Sequence, residues 1–209
     1  MRKNLLKQLT MALLLTIAVP TLNAQVAHVG DILCEGNLTV SPASFNASTY
    51  IPIGVVFYVD NTGQHGWAVA LQDAGDYQWG CFESDTPLPN YENTRQAIQD
   101  LDGYNNTLIV RQHSEDHPAF YAVDFEHGWY VSAIGQLNYL YGNIAEVNAG
   151  LAAAGGSVFS STNEWRYWSS TEFSGNNVWT LHSSGEFHYP GTYSNDKYRS
   201  WRVRGVRNF

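Results

Sequence analysis

The order of helical and strand-like segments is the feature that most restricts how this chain can fold. The runs IGVVFYVD (53–60) and HGWAVALQ (65–72) are rich in β-branched and aromatic residues, and the short polar turn between them predicts a hairpin. From Trp165 onward, the runs YWSS, VWTLH, EFHYP and WRVRGVR predict short strands separated by loops of Ser, Gly and Asn. Because helical patterns lie between these two groups, we predict an α+β fold in which the early hairpin and the late strands share a sheet.

The middle of the chain carries the helical signals. Residues 93–101 (NTRQAIQDL) predict a short helix capped by Asn93 or Thr94, and Pro118 suits the first turn of another. Two consecutive helices are predicted from Ser132, as the cap, to the glycines at 155 and 156, with a break near residues 142 and 143. Residues 28–36 predict a short strand, and residues 73–92 are predicted to be loop. The helical residues expected in the core are Leu137, Leu140, Tyr141, Val147 and Leu151, and the tryptophans expected to pack rather than bind are Trp67, Trp129 and Trp168.

The first 24 residues have the pattern of a secretory signal peptide. Arg2, Lys3 and Lys7 precede an apolar run at 11–20, and the small residue Ala24 follows. The apolar run is too short to remain as a membrane-spanning helix, so we expect an exported protein that is periplasmic, cell-surface or extracellular, with no membrane span in the mature chain. Removing these three of the 11 basic residues leaves 8 Lys and Arg against 19 Asp and Glu, or about −11. That balance disfavours nucleic acid and anionic membrane surfaces as partners.

Two cysteines, Cys34 and Cys81, remain after the signal peptide. Export permits a disulfide between them, but their spacing leaves both the paired and the unpaired state open. No Cys-x-x-Cys motif or neighbouring base activates either thiol, so we expect a structural role in either state.

The run VWTLHSSGEFHY predicts a hairpin with two distinct faces. With a strand period of two, Trp179, Leu181, Phe187 and Tyr189 fall on the face expected to be core. The opposite face is predicted to expose a row of polar side chains that could bind a ligand: Thr180, His182, Glu186 and His188.

The loop from residue 189 to residue 200 has the composition of a binding loop. Tyr189, Tyr193, Asn195 and Tyr198 lie among Gly and Ser residues, and Tyr provides a large amphipathic contact area at low entropic cost. The alternative is that these residues solvate a long turn. We predict a protein or carbohydrate ligand at this loop and the neighbouring polar row.

The terminal run WRVRGVR predicts a strand with a bulge. Trp201 and Val203 alternate with Arg202 and Arg204, and a bulge at Gly205 would return Val206 to the apolar face. The arginines are expected to pair with acids such as Glu172 or Glu164, with ligand contact as the alternative.

Enzymatic readings have less support. His182, Glu186 and His188 could in principle form a His2Glu zinc site, but exposed polar rows are common on hairpins. The segment HSEDH (113–117) has its Glu displaced by one position from a His-Glu-x-x-His motif, and Pro118 follows. No nucleophile elbow, phosphate loop or dinucleotide fingerprint is present, so we predict neither an enzyme nor a cofactor.

Three ordered segments carry a family resemblance: GWYVSAIGQLNYLY (128–141), YWSSTEFSGNNVWTLHSSGEF (167–187) and KYRSWRVRGVRNF (197–209). They resemble the C-type-lectin-fold modules of the formylglycine-generating-enzyme subclass, including the Lcl C-terminal and major-paralogous types of secreted Bacteroidota proteins and the variable receptors of diversity-generating retroelements. The resemblance covers roughly residues 120–209. It implies a C-type lectin-like fold with two central helices and a short-stranded antiparallel sheet, plus an N-terminal β-hairpin elaboration.

The resemblance also has consequences for function and organisation. In the retroelement relatives the changeable positions lie along the same hairpin and loop, which implies recognition through Thr180, His182, His188, Tyr193, Asn195 and Tyr198. Ser132 and Gln136 depart from the family pattern at the helix start, and Cys81 is the last cysteine, which makes the subclass enzyme's cysteine chemistry improbable. The calcium-dependent sugar signature is also missing. We divide the chain into a signal peptide (1–24), a β-rich elaboration (25–110) and a C-type-lectin-like module (111–209).

These observations lead to one hypothesis and one alternative. The chain is predicted to be a secreted or cell-surface, non-enzymatic ligand-binding or adhesion protein that recognises a protein or glycan. The alternative is a structural subunit of a surface appendage or matrix, which would bury the same surface against copies of itself.

Overall fold

The computed structural model describes residues 26–81, 83, 85–160, 165–183 and 195–209, with the backbone alone at Asn195. The predicted signal peptide lies outside these ranges. The described chain runs through β1 (Ile32–Cys34), β2 (Leu38–Val40), β3 (Pro52–Val59), β4 (Gly66–Ala70), β5 (Gly75–Gln78), α1 (Thr94–Ala97), α2 (Gly103–His113), α3 (Pro118–Tyr121), β6 (Tyr130–Val131), α4 (Ile134–Gly142), α5 (Ile144–Ala153), β7 (Arg166–Ser174), β8 (Asn177–His182), β9 (Asn195–Asp196), β10 (Ser200–Val203) and β11 (Gly205–Asn208). The predicted α+β class is confirmed.

The strands form two sheets. The first sheet has the order β2-β1-β3-β4-β11-β6 and is antiparallel throughout, and the second has the order β5-β10-β7-β8-β9 with β10 and β7 parallel. Val69 of β4 pairs with both Val55 of β3 and Val206 of β11. The prediction that the early hairpin and the late strands share a sheet is therefore confirmed for β11 alone, because β7, β8, β9 and β10 lie in the second sheet.

Two large hydrophobic cores hold the sheets and helices together, and a small third cluster lies at β1 and β2 (Ile32, Cys34 and Val40). The main core lies between α4, α5 and both sheets, and the second core lies between α2, α3 and the other face of the second sheet. Both faces of the second sheet are therefore covered, which explains why aromatic residues of opposite parity in β7, Tyr167 and Trp168, are each 2% exposed. The expected helical core residues Leu137, Leu140, Val147 and Leu151 are buried, and Tyr141 packs against them half-buried.

The local helix signals were largely correct. The Asn93 side chain accepts a hydrogen bond from the Gln96 backbone N–H at 3.0 Å and caps α1, Pro118 begins α3, and Asn143 separates α4 from α5. Ser132 as the cap of α4 is wrong. The N–H of Ile134 instead donates to the Thr171 hydroxyl at 2.9 Å, a partner on β7 that is distant in sequence.

The expected bulge at Gly205 is wrong, because the chain changes sheets there. β10 pairs with β5 and β7 in the second sheet, whereas β11 pairs with β4 and β6 in the first. Val203 and Val206 are both buried, as expected, but in different cores. Arg204, at the crossing, is 5% exposed and donates hydrogen bonds to the carbonyl groups of Ala70, Leu71 and Ser157.

Other predictions are corrected by the sheet pairing. β5 lies within the predicted 73–92 loop and pairs with β10, and α2 has no counterpart among the predicted helices. The predicted division at residue 110 falls inside α2, and both sheets take strands from each side of it.

Cys34 is buried and Cys81 is exposed, and they do not form a disulfide. No helix in the described ranges is long and apolar enough to cross a membrane.

Candidate ligand-binding cleft

The hairpin of β7 and β8 sets the position of the predicted polar row. Arg166 pairs with His182, and Trp168 pairs with Thr180. Thr180 is 2% exposed because the second core covers the face that was expected to meet solvent. The prediction that Thr180 is an exposed ligand contact is therefore wrong, whereas His182, two residues further along the same face, is half-buried at the margin.

The other predicted contacts have different outcomes. Tyr198 is 44% exposed, and the backbone of Asn195 pairs with Val178 at the edge of the second sheet. The remaining candidates, Glu186, His188, Tyr189 and Tyr193, lie outside the described residues. The structure thus gives a location to three predicted contacts that can reach solvent or the sheet edge: His182, Asn195 and Tyr198.

A cleft of about 300 Å³ opens where His182 ends β8. Side chains from four neighbouring strands and from the residue before β7 converge on it. We name it the C-terminal cleft, and its described lining consists of Asp76, Trp165, Arg166, His182, Ser200, Trp201 and Arg202. Its volume is at the lower limit of pockets that bind small ligands.

Aromatic and cationic groups are in contact in this cleft. The Arg166 guanidinium lies 4.6 Å from the centroid of the Trp201 ring, a cation–π arrangement that also gives the guanidinium a fixed orientation. Trp201 is partly buried and packs against the second core, which supports its indole ring. The cleft therefore presents a preorganised flat cation beside an aromatic ring.

The neighbouring charges hold Arg202. Its Nη1 lies 3.6 Å from Asp73 Oδ2, and the Tyr167 hydroxyl donates to Asp73 Oδ1 at 2.8 Å. Interaction with Tyr167, followed by the charges of Asp73 and Asp76, raises the pKa of Arg202, while burial raises the pKa of Tyr167 to about 12. Arg202 therefore stays cationic at any physiological pH, with its side chain 41% exposed to the cleft.

A buried ion pair fixes the chain directly after β9. Lys197 Nζ and Glu172 Oε1 are 2.5 Å apart and both side chains are 0% exposed. The ammonium also lies 4.6 Å from the Trp79 ring centroid, and the Lys197 carbonyl accepts hydrogen bonds from the N–H groups of Trp79 and Gly80. Burial raises the pKa of Glu172. The hydrogen bond and charge of Lys197, and a hydrogen bond from Thr86, act in the opposite direction and lower this pKa. Because desolvation dominates, the carboxylate depends on Lys197 to stay charged.

A second set of contacts holds β9 and the residues after it. Asp196 accepts hydrogen bonds from Asn177 Nδ2 at 3.1 Å and from Arg199 Nε at 3.1 Å. The hydroxyl of Tyr198 is the largest of the influences that lower the pKa of Asp196. Tyr198 thus presents an exposed ring with a hydroxyl that is already oriented, which limits the entropy lost on binding.

The described part of the cleft combines aromatic and charged side chains. Among the described residues, no group of three or more His, Cys, Asp or Glu side chains lies close enough together to hold a metal ion. The weakly favoured His2Glu site needs Glu186 and His188, which lie outside the described ranges. Aromatic and charged groups held on strands can provide contact area and hydrogen bonds to a ligand.

Sequence reasoning missed most of the cleft lining. It treated Arg202 mainly as an ion-pair partner, placed Trp201 on the apolar face of a strand, and gave no role to Asp76, Trp165 or Arg166. The repeated Trp-Arg pairs, WR at 165–166 and WR at 201–202, are the signal that could have found them, because they lie at the starts of β7 and β10, two parallel strands whose first residues line one cleft. The expected pairing of the arginines with Glu172 is also wrong. Glu172 pairs with Lys197. Arg202 and Arg204 instead approach Asp73.

Comparison with known proteins gives a likeness of fold. No protein-family model matches the chain, and no curated protein matches it. Among solved structures it is similar to a fimbrial protein from Bacteroides ovatus, with a TM-score of 0.61, 17% sequence identity and 87% of this chain covered. The chain spans 49% of the length of that fimbrial protein. At this identity the likeness concerns the fold alone.

Proposed function

We propose that this chain is an exported, non-enzymatic binding protein of the cell surface that recognises a protein or glycan through the C-terminal cleft and the adjoining Tyr198 surface. The observation that carries the proposal is the Arg166–Trp201 contact, at 4.6 Å, in a cleft reached from several strands. Trp, Tyr and Arg are the side chains that contribute most to recognition surfaces, because they combine large contact area with directed hydrogen bonds.

The supports beneath the cleft agree with this role. The Lys197–Glu172 pair and the Asp196 contacts fix residues 195–199, and the pairing of β10 with β5 and β7 fixes residues 200–203. A surface that is rigid before binding loses little conformational entropy when the ligand arrives. These contacts favour recognition over the alternative in which the loop only solvates a turn.

A surface-appendage subunit is the second candidate. It is favoured by the likeness to the B. ovatus fimbrial protein, of which this chain spans 49%. In this reading the C-terminal cleft would contact a neighbouring subunit. The two candidates differ in a measurable way, because a subunit should associate with copies of itself or with appendage proteins, and a binding protein should retain a soluble ligand.

The C-type lectin-like architecture belongs to the same proposal. Its support is the order of the three motif segments, which fall on β6 and α4, on β7 and β8, and on β10 and β11. A crystal structure whose strand order departs from that of C-type lectin domains would reject it.

A binding screen of the exported chain tests the main proposal. The chain would be applied to a glycan array and to a set of extracellular matrix and host surface proteins, and each hit measured by calorimetry. Arg166→Ala and His182→Ala should each weaken binding of the true ligand by about tenfold or more, since about 1.4 kcal/mol corresponds to tenfold.

Matched controls are available elsewhere on the chain. Arg95 and His65 are exposed and do not line the cleft, so Arg95→Ala and His65→Ala should leave the affinity unchanged. Equal affinity of Arg166→Ala, His182→Ala and the wild type for a verified ligand would reject the C-terminal cleft as the site. Self-association that depends on Arg166, with no retained soluble ligand, would favour the appendage subunit.

A further inference from the structure

A second groove, separate from the C-terminal cleft, lies on the first sheet. Val55, Val69 and Val206 point into the main core, so Gly54, Ala70 and Gly205, which neighbour them in the strands, face the opposite side. A groove of about 350 Å³ lies on that side, and Trp129 forms part of its wall. We name it the Trp129 groove.

The floor beneath Trp129 contains no large side chain. Gly54 pairs with Ala70, and the register of β4 and β11 places Gly205 on the other side of Ala70, so the three form one row across three strands. A Cβ added to Gly54 would lie 3.1 Å from Trp129 Cη2, and one added to Gly205 would lie 3.3 Å from Trp129 Cε3. The indole therefore lies against this row, and a larger residue at position 54 or 205 would clash with it.

One tight turn positions both the indole and a carboxylate. The N–H of Trp129 donates to the Asp124 carbonyl at 3.0 Å across a 3-10 turn at Phe125–His127. Gly128 has φ of +85°, the left-handed conformation that closes this turn. Asp124 and Trp129 are thus held at a fixed spacing, and both line the groove.

The groove combines apolar walls with a few polar groups. Leu71, Ala74 and Val123 contribute aliphatic surface, and Gln72 and Asp124 contribute the hydrogen-bonding groups. The Asp124 side chain is 59% exposed and accepts from His127 Nδ1 at 2.8 Å, while Gln72 Nε2 donates to the Gly155 carbonyl at 3.4 Å. Gln72 Oε1 also accepts a hydrogen bond from the Ser157 hydroxyl, so Gln72 already has two partners. Both Asp124 and Gln72 are exposed to solvent.

We propose that the Trp129 groove binds a neutral pyranose ring. Such a ring has an apolar C–H face, which fits against indole and aliphatic carbon, and a rim of hydroxyl groups, which can donate to Asp124 and exchange hydrogen bonds with Gln72. A pocket with apolar walls and few convergent polar groups is the usual form of a small-ligand site. Asp124 is the charged side chain among the described lining residues and would repel an acidic sugar, so a neutral sugar fits better. The Arg207 guanidinium lies nearby, 5.5 Å from the centroid of the Trp129 ring.

Nuclear magnetic resonance of the tryptophan indole N–H groups tests this proposal. The Trp129 signal would be assigned by its loss in Trp129→Phe, and the ¹⁵N-labelled exported chain would then be titrated with neutral monosaccharides and disaccharides. We expect a saturable shift of the Trp129 signal with a dissociation constant of about 1 mM, typical of one small ring. Ala74 is exposed and lines the groove, so Ala74→Leu should weaken this binding by about tenfold or more.

The controls separate this site from the C-terminal cleft and from loss of folding. Ala145 is exposed on α5 and does not line the groove, so Ala145→Leu should bind as the wild type does. Arg166→Ala should also leave the Trp129 shift unchanged. No shift of the Trp129 signal with any sugar at about 50 mM, well above millimolar dissociation constants, would overturn the proposal. An unchanged shift in Ala74→Leu, or binding of a nonpolar aryl probe without any sugar, would overturn it as well.

Discussion

Removal of the Lys197 charge is the most informative perturbation of the C-terminal surface. Lys197→Met keeps most of the length of the side chain and its contact with Trp79, but it leaves the Glu172 carboxylate buried without its cation. Both side chains are 0% exposed, so solvent cannot replace the lost partner. We expect a large loss of stability without a loss of the surrounding apolar packing.

The structure allows the size of this loss to be bounded. At the 2.5 Å separation of Nζ and Oε1, and with an effective dielectric constant of about 20, the gross attraction is about 7 kcal/mol. Much of it offsets the desolvation of two charges, and removal of one partner of a buried pair costs about 3–5 kcal/mol. For a chain of this size that corresponds to a fall in Tm of roughly 6–20 °C.

Urea unfolding followed by tryptophan fluorescence at several pH values is the assay. Burial raises the pKa of Glu172 above the ordinary value of 4.5, and loss of Lys197 should raise it further. The folded variant then binds a proton that the unfolded chain releases above pH 4.5, so the stability of the variant increases as the pH falls toward that value. The deficit of Lys197→Met relative to wild type should therefore be larger at pH 8 than at pH 5.

A surface pair serves as the control. Arg199 Nε lies 3.1 Å from Asp196 Oδ2, but the two side chains are 52% and 33% exposed, so Arg199→Met should cost no more than about 1 kcal/mol. A loss below about 1 kcal/mol in Lys197→Met, or a deficit that does not depend on pH, would refute the reasoning that this pair is buried and charged. The double variant Lys197→Met, Glu172→Leu should recover most of the stability, because it removes the uncompensated charge.

Three further predictions concern other buried groups. Burial lowers the pKa of His117 below 6.5. The neutral imidazole therefore contributes stability above pH 6.5, and this contribution is lost as the pH falls through the lower pKa of the folded protein. His117→Phe should remove this loss when Tm is compared at pH 7.5 and pH 5. Arg204→Met should lower the free energy of unfolding by about 3 kcal/mol or more, because three carbonyl groups lose charge-assisted hydrogen bonds. An equally large effect of Arg207→Met in the same urea titration would contradict this explanation. In the folded protein a thiol reagent should modify exposed Cys81 and not buried Cys34, whose pKa burial raises, and mass spectrometry should find both modified after unfolding; a linked pair would contradict the structure.

Local signals in the sequence predicted the elements well. Caps and turns act over three or four residues, so Asn93, Pro118 and the break at Asn143 could be predicted without knowledge of the fold. The β3–β4 hairpin has the same local origin. In contrast, α2 has the segment GYNNTLIVRQH, whose asparagines and thin apolar stripe carry little helical signal, and the burial of Val110 against the second core stabilises it instead.

The candidate site depended on contacts that the sequence does not reveal. Strand alternation assigned Thr180 to a solvent face, but alternation only distinguishes two faces and cannot show that both are covered. The partner of Glu172 is Lys197 rather than an arginine because β9 pairs with β8, although β8 ends at His182 and β9 begins at Asn195. The C-terminal cleft likewise requires β5, which was predicted to be loop, to lie beside β10.

The crossing at Arg204 also has a kinetic consequence. β10 joins β5 to β7 and β11 joins β4 to β6, so neither sheet can close before residues 200–208 have left the ribosome. Until then β4, β5 and β7 present unpaired edges, and their partners are distant in sequence, which slows folding and exposes the nascent chain to aggregation. A polypeptide of this topology would therefore lack its final strand order until residues 200–208 have been synthesised.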